Sequence, residues 1–276
     1  MNHPQAYPKF LANSFVGTED DGLAHVFLAP GNATLELDDN NPVSVTVDTA
    51  YPFDFKLTYT VTAKHEFPFY VRIPTWASTD STIQLPNTDN PVSIAASDLG
   101  LQKVVVPGGT TSSFTVNLDT KPRVKEPSEG TVAVYYGPLL YSLAIEFQKT
   151  ETVPYSYQAP FGPLPENTTD PRSHDYALIP TTPWNIAIDP SQITVVAQDV
   201  APSDLPSPIW DLGAPPVELR IAAVEIDWPI ENDTAAPPPK NPQATGEPFS
   251  ARFIPYGSAK LHMAYLPRIQ LPKIDL

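Results

Sequence analysis

Proline punctuates this chain: 35 of its 276 residues carry the pyrrolidine ring. Proline locks φ, removes a backbone donor and clashes with the preceding helical turn, so it collects at strand ends, edges and turns. That density argues against a helical protein. Methionine occurs only 2 times, and β-branched residues are plentiful, which favours sheet. With 41% hydrophobic residues the chain can build a real core. Its length suits one large or two modest domains of roughly 100–200 residues.

Periodicity makes the sheet reading specific. Phe53, Phe55, Leu57, Tyr59 and Val61 fall on one face, and Asp54, Lys56, Thr58, Thr60 and Thr62 on the other. A period of two marks a half-buried antiparallel strand. Further strands are expected at 25–29, 33–37, 43–48, 67–73, 82–85, 92–95, 103–106 and 113–118, with Gly108-Gly109 as a hairpin turn. Residues 121–130 are charged and proline-containing and read as a connection. Beyond them, 131–145 reads as one apolar strand bent at Gly137-Pro138, with strands at 193–197, 217–226, 252–255 and 260–266. Residues 153–183 read as an irregular excursion and 234–247 as a loop. A short helix is expected at 8–12, with Pro8 at its first position, where a missing N–H costs nothing.

Many short strands with regular turn signals point to an all-β chain. It is expected to hold two antiparallel, jelly-roll-like β-sandwich units behind a short N-terminal helical stub. The expected division is a stub at 1–11, a first sandwich at 12–130 and a second at 131–276.

Charge and composition exclude several functions. A formal net charge of −15 repels phosphate backbones and anionic membranes, so neither nucleic acid nor membrane is an expected partner. No apolar run approaches the ~20 residues a spanning helix needs. Met1-Asn2-His3-Pro4 has neither the basic nor the apolar region of a signal peptide. An extracellular location is expected only if a longer parent carries such a leader. Three sequons begin at Asn32, Asn167 and Asn232 and would serve as glycosylation sites in a secretory pathway.

Candidate chemistry is sparse. The absence of cysteine rules out a thiolate nucleophile or thiolate metal site within this chain. The histidines are His3, His25, His65, His174 and His262, and no pair has the i, i+4 spacing of zinc ligands on a helix. Glu19-Asp20-Asp21-Gly22 and Asp38-Asp39 read as solvated turns before calcium loops. His174-Asp175 reads as loop before acid–base pair. Trp76 and Trp228 sit at strand ends and read as core plugs, whereas Trp184 and Trp210, in proline-rich stretches, are the candidates for stacking on sugar rings. No metal ligand set is expected.

Five segments carry a family resemblance in sequence order. Residues 69–77 (FYVRIPTWA) and 132–144 (VAVYYGPLLYSLA) resemble the β-rich C-terminal half of the β-L-arabinofuranosidase family, glycoside hydrolase family 127. Residues 51–63 look like the strand before that family's Arg-x-Pro-x-Trp stretch, and 253–262 (FIPYGSAKLH) are similar to its closing Pro-Tyr-Gly motif. Residues 2–10 (NHPQAYPKF) resemble the segment just after its catalytic cysteine motif. The resemblance implies an (α/α)6 barrel followed by β-sandwiches, with a zinc-bound cysteine nucleophile in the barrel. None of those catalytic positions falls in this chain; Asn2 and His3 alone would be remnants of the active-site rim. The expected function is thus a non-catalytic β-sandwich portion, inactive alone and without cofactor, since zinc belongs to the barrel. Its partners would be that barrel, in cis or in trans, and a plant-type or other polysaccharide. The alternatives are a free-standing carbohydrate-binding module or a subunit docking on a separate barrel chain.

Overall fold

In the computed structural model, which describes residues 3–165, 168–198, 201–210, 215–231 and 234–276, the chain falls into two units. One comprises Met1–Arg123, Tyr136–Leu139 and Gln198–Ile209; the other comprises Val124–Tyr135, Leu140–Ala197 and Trp210–Leu276. The all-β expectation holds: a single short α-helix accompanies the strands among the described residues.

The first unit opens with α1 (His3–Ala12). Its strands are β1 (Phe15–Gly17), β2 (Leu23–His25), β3 (Gly31–Leu37), β4 (Asn41–Asp48), β5 (Lys56–Ala63), β6 (Phe67–Arg72), β7 (Thr82–Gln84), β8 (Val92–Ser93), β9 (Leu101–Val106) and β10 (Thr110–Asn117). They form two sheets, in the orders β1-β2-β6-β9 and β3-β4-β5-β10-β7-β8. Pairing is antiparallel except between β2 and β6, which run parallel. The period-two pattern decides which face is buried. Phe53, Phe55, Leu57, Tyr59 and Val61 all point inward, while Lys56 is exposed and Thr58 half-buried. Val43, Val45 and Val47 of β4 and Phe114 and Val116 of β10 extend that inner face. Phe67, Phe69, Val71, Val104 and Val106 meet it from the other sheet. Tyr59 stacks on Phe114 at 4.6 Å and meets Phe69 edge-on at 5.5 Å.

Two local expectations are corrected here. The helix begins at His3, so Pro8 lies inside it and not at its first position. Pro8 removes one N–H from the helical ladder, and the side chains from Pro8 to Ala12 are exposed. The strand expected at 25–29 ends at His25, because Leu28 takes a left-handed backbone, with φ 61°.

The remaining strands are β11 (Arg123–Lys125), β12 (Thr131–Tyr136), β13 (Leu139–Leu143), β14 (Phe147–Thr152), β15 (Tyr155–Ser156), β16 (Gly162–Pro163), β17 (Asp175–Pro180), β18 (Ile186–Ala197), β19 (Val217–Glu225), β20 (Ile230–Glu231), β21 (Thr234–Ala235), β22 (Phe249–Pro255) and β23 (Leu266–Pro267). The stretch expected as one bent strand is two, because Gly137 turns the chain with φ 54°. A side chain there would also collide with the Phe55 ring. The expected excursion at 153–183 contains β17, which pairs with β14 from Phe147↔Pro180 to Thr152↔Asp175. The strand expected at 260–266 is reduced to β23.

The main sheet of the second unit runs β11-β12-β13-β22-β19-β18, with β23 on β12. The same C-terminal segment reaches β18: Ile188 bridges Arg268, and Ile269 N–H donates to the Ile188 carbonyl at 3.0 Å. Residues 266–269 therefore join β12, next to one end of the sheet, to β18 at the other, which gives the β18 edge a partner that would otherwise be open to pairing. Ile186, Ile188, Leu219, Ile221, Phe253 and Leu266 are buried in this unit.

A bulge in β18 secures the tail. The β18–β19 register shifts between Asp189 and Ile193, and the buried Asp189 carboxylate collects four donors. They are Ser191 N–H at 3.0 Å, Ser191 Oγ at 2.6 Å, Gln192 Nε2 at 2.9 Å and Leu271 N–H at 3.1 Å. Gln192 also accepts from Ile274 N–H at 3.1 Å. Burial alone pushes the Asp189 carboxyl up, but these hydrogen bonds prevail and hold it at about 2, below its ordinary 3.8.

Leu57→Asp is expected to unfold the first unit, because an unpaired buried carboxylate costs as much as the whole stability of about 5–15 kcal/mol. Lys56→Asp, one residue away on the outer face, should shift stability by less than about 0.5 kcal/mol. Urea denaturation followed by circular dichroism separates the two, and the reverse order would place the strand one residue out of register. Asp189 adds an acid-sensitive contribution. Its folded value lies below its unfolded one, so its stabilisation is complete above pH 3.8 and disappears as pH falls through about 2. Asp189→Asn should cost about 1–3 kcal/mol at neutral pH and flatten the melting curve's dependence on pH in that acid window.

Candidate functional site: an aromatic groove in the second unit

Two adjoining cavities in the second unit share Ala235, His262 and Met263. The larger, of about 390 Å³, is lined by Trp228, Tyr256, His262 and Tyr265 among others. The smaller, of about 240 Å³, is lined by Trp184, Leu178, Ile230 and Leu261 among others. Among the described residues no Asp, Glu, Lys or Arg lines either cavity.

The local fold fixes each ring. Trp228 is buried and donates its Nε1–H to the Ala236 carbonyl at 2.7 Å. Trp184 packs on Trp228 with ring centroids 5.6 Å apart. Tyr256 lies in the turn after β22 and stacks on His262 at 4.3 Å. The segment carrying His262 and Tyr265 is pinned between them: Met263 N–H donates to Ser142 Oγ at 3.1 Å, and its carbonyl accepts from Leu143 N–H at 3.0 Å. These contacts tie 260–265 to β13 through a serine side chain and one backbone bond, which explains why an expected strand becomes an irregular lining. Tyr265 is 50% exposed and Tyr256 42% exposed.

Of the two tryptophans expected to stack on sugars, the structure places Trp184 in the groove. Trp210 lines neither cavity. Its ring packs against Gly257, where a Cβ would sit 3.2 Å away, so it backs the turn that presents Tyr256. Asn2, Asn167 and Asn232 lie outside the described residues, and His3 opens α1. Asn32 is exposed on β3. Sequence reasoning missed Tyr256, His262 and Tyr265. The Pro-Tyr-Gly turn was visible, but nothing in its spacing marked the rings as one surface.

The other candidates serve local structure. Asp20 accepts from Tyr70 Oη at 2.5 Å and Thr18 Oγ1 at 2.7 Å, and these bonds, with Lys103 nearby, hold its carboxyl at about 2. Asp21 is pushed up by hydrogen bonding to Asp38 and by the like charges of Asp38, Asp39 and Asp20. Asp175 accepts from Tyr155 N–H at 2.8 Å, so it positions a loop and not His174. Among the described residues no three His, Cys, Asp or Glu side chains gather as a metal site. A zinc thiolate needs cysteine, which the sequence lacks, so these residues do not fit such a centre.

The first unit carries a contrasting surface. Phe10, Leu11, Val16 and Phe27 are exposed, with Phe10 at 61%. The Phe10 and Phe27 rings meet edge-on at 5.8 Å. Beneath this patch Phe15 stacks on the buried His25 at 4.5 Å, and His25 Nδ1 and Tyr59 Oη share a hydrogen bond of 2.9 Å.

No protein-family model matches the sequence, and no curated protein matches it. Solved structures do. The chain is similar to Ara127N, a GH127 β-L-arabinofuranosidase from Geobacillus stearothermophilus T6, at 17% identity and TM-score 0.59, covering 94% of this chain and 35% of that one. A glycoside hydrolase matches at 16% identity and TM-score 0.60, covering 98% of this chain and 40% of its own. A further GH127 β-arabinofuranosidase matches at 13% identity and TM-score 0.51, over 91% of this chain and 36% of its own. At these identities the likeness is one of fold: the chain has a partial GH127-like fold and spans 35–40% of the length of these structures.

His25 sets a pH dependence that can be measured. Burial disfavours its charged form and, against a backbone hydrogen bond at Ala29, pushes it from 6.5 down to about 4. The unfolded chain then binds more protons between those values, so stability is complete above pH 6.5 and declines as pH falls towards about 4. Nuclear magnetic resonance titration should find His25 neutral down to about pH 4; a titration near 6.5 would contradict its burial.

Proposed function

We propose that this chain is the non-catalytic β-rich portion of a glycoside hydrolase family 127-like protein, supporting a carbohydrate-active helical barrel supplied in cis or in trans. The observation that carries this reading is the asymmetry of coverage: the match takes in 91–98% of this chain but only 35–40% of the glycosidase chains. Two features support it. The sequence has no cysteine and so cannot supply a thiolate nucleophile. The exposed apolar residues of α1 and its surroundings form the kind of patch that stable monomers seldom leave uncovered. Asn2 and His3, at the start of this segment, belong in this reading to the rim of the barrel's active site. A secreted, glycosylated parent is part of the same proposal, with Asn32, Asn167 and Asn232 as acceptors.

The purified chain is expected to release no arabinose from β-L-arabinofuranosides, with or without added zinc; zinc-dependent turnover by pure protein would overturn the reading. Deleting residues 1–11 should improve solubility and leave the melting temperature unchanged, because Phe10 is mostly and Leu11 about half exposed. A loss of several degrees would make α1 an integral part of the first unit.

A further inference from the structure

We infer that the aromatic groove of the second unit is a binding site for a neutral saccharide, with Tyr256, His262 and Tyr265 lining one cavity and Trp184 the next. The site lies wholly within one unit and goes beyond the reading above, since it requires no barrel.

Four features select the ligand. The larger cavity, about 390 Å³, falls within the usual range for small-molecule sites of about 300–1,000 Å³. The adjoining cavity of about 240 Å³ shares His262 and Met263 with it, so one ligand longer than a single sugar ring can occupy both. Among the described residues the lining holds no Asp, Glu, Lys or Arg. On a chain of net charge −15, a lining without formal charge among the described residues suits a neutral ligand, since no carboxylate, ammonium or guanidinium there pairs with a charged one. Finally, the rings have polar edges: two phenol hydroxyls and an imidazole. A wholly apolar ligand would strip water from those groups without replacing its hydrogen bonds, at a cost. A sugar satisfies both parts, laying C–H faces on the rings and offering hydroxyls to their edges. The groove is also held in place before any ligand arrives. Trp228 is anchored on Ala236, Met263 on Ser142, and Trp210 backs the turn bearing Tyr256. Preorganised rings lose little freedom on binding.

A proline-rich peptide also favours aromatic grooves. The saccharide is favoured because the fold is shared with glycoside hydrolases and because two cavities in series suit a chain of rings.

The test is native affinity electrophoresis of the full chain through gels containing arabinan, arabinoxylan or xyloglucan. Polygalacturonate serves as the charged control, and a proline-rich peptide as competitor. Retardation by at least one neutral polymer is expected. Tyr265→Ala and Trp184→Ala should each weaken it at least about tenfold, equivalent to about 1.4 kcal/mol. Tyr265 is half exposed, so its truncation should leave the circular dichroism spectrum and melting temperature unchanged. Tryptophan fluorescence of the unaltered chain, titrated with oligosaccharides released from the retarding polymer, provides a second readout that needs no variant. Migration unaffected by every neutral polymer overturns the proposal. So does retardation undiminished in both variants, retardation by polygalacturonate alone, or displacement by the peptide. Because the measurement is binding by this chain alone, its failure leaves the hydrolase assay untouched, and arabinofuranosidase turnover would leave the groove untouched.

Discussion

A buried phenol organises the first unit. Tyr59 sits at the centre of β5, wholly buried, where its ring serves packing and its hydroxyl needs a partner. Phe114 and Phe69 supply the packing from the two facing sheets, and His25 supplies the partner. That hydrogen bond goes with a β2 that lies beside β6 and turns His25 inward, where burial keeps the imidazole neutral. Phe15 then covers the imidazole. One line of contacts thus runs from the strand after α1, through both sheets, to β10. Burial pushes the Tyr59 phenol up and the His25 imidazole down, so the pair stays uncharged across the ordinary pH range.

In the second unit a single C-terminal segment does two jobs. Its first part, 260–265, leaves the ladder and lines the groove; its second, 266–269, bridges β12 and β18. The tail beyond is tied down by Asp189 and Gln192 in the β18 bulge. The bulge is the price of turning strand donors and acceptors towards a third segment: the extra residues leave the register so that a carboxylate can meet the tail's N–H groups. Groove and closure are therefore continuous in the chain: Met263 is anchored between His262 and Tyr265, and Leu266, the residue after Tyr265, already pairs with β12.

The two surfaces make different demands. The patch around Phe10, Leu11, Val16 and Phe27 is apolar without polar edges and is suited to being covered by protein. The groove is apolar with polar edges and is suited to a ligand that also carries hydroxyls. The first suits the support role proposed for this chain, and the second the neutral saccharide inferred for the groove.

Sequence alone determined the class of fold. Proline density excluded long helices, and the alternation at Phe55, Leu57, Tyr59 and Val61 set the inward face of β5, because in a strand the side-chain period is two whatever its neighbours. The lack of cysteine settled that no thiolate chemistry resides here, since that is a property of composition. Tertiary structure decided what depends on distant residues meeting. The parallel β2–β6 pair, the pairing of β17 with β14 inside an apparently irregular stretch, and the closure by β23 all join segments far apart in the chain. Helix α1 ran past the proline expected to start it, as the local rule about Pro8 is a preference and not a prohibition. The groove was hidden for the same reason as the closure. Trp184 could be singled out as an aromatic in a proline-rich stretch, but Tyr256, His262 and Tyr265 become a surface only when the turn after β22 is folded beside a segment pinned to β13. Chain spacing carries no trace of such an encounter, because the anchors are a serine hydroxyl and a backbone N–H, groups found everywhere in the sequence.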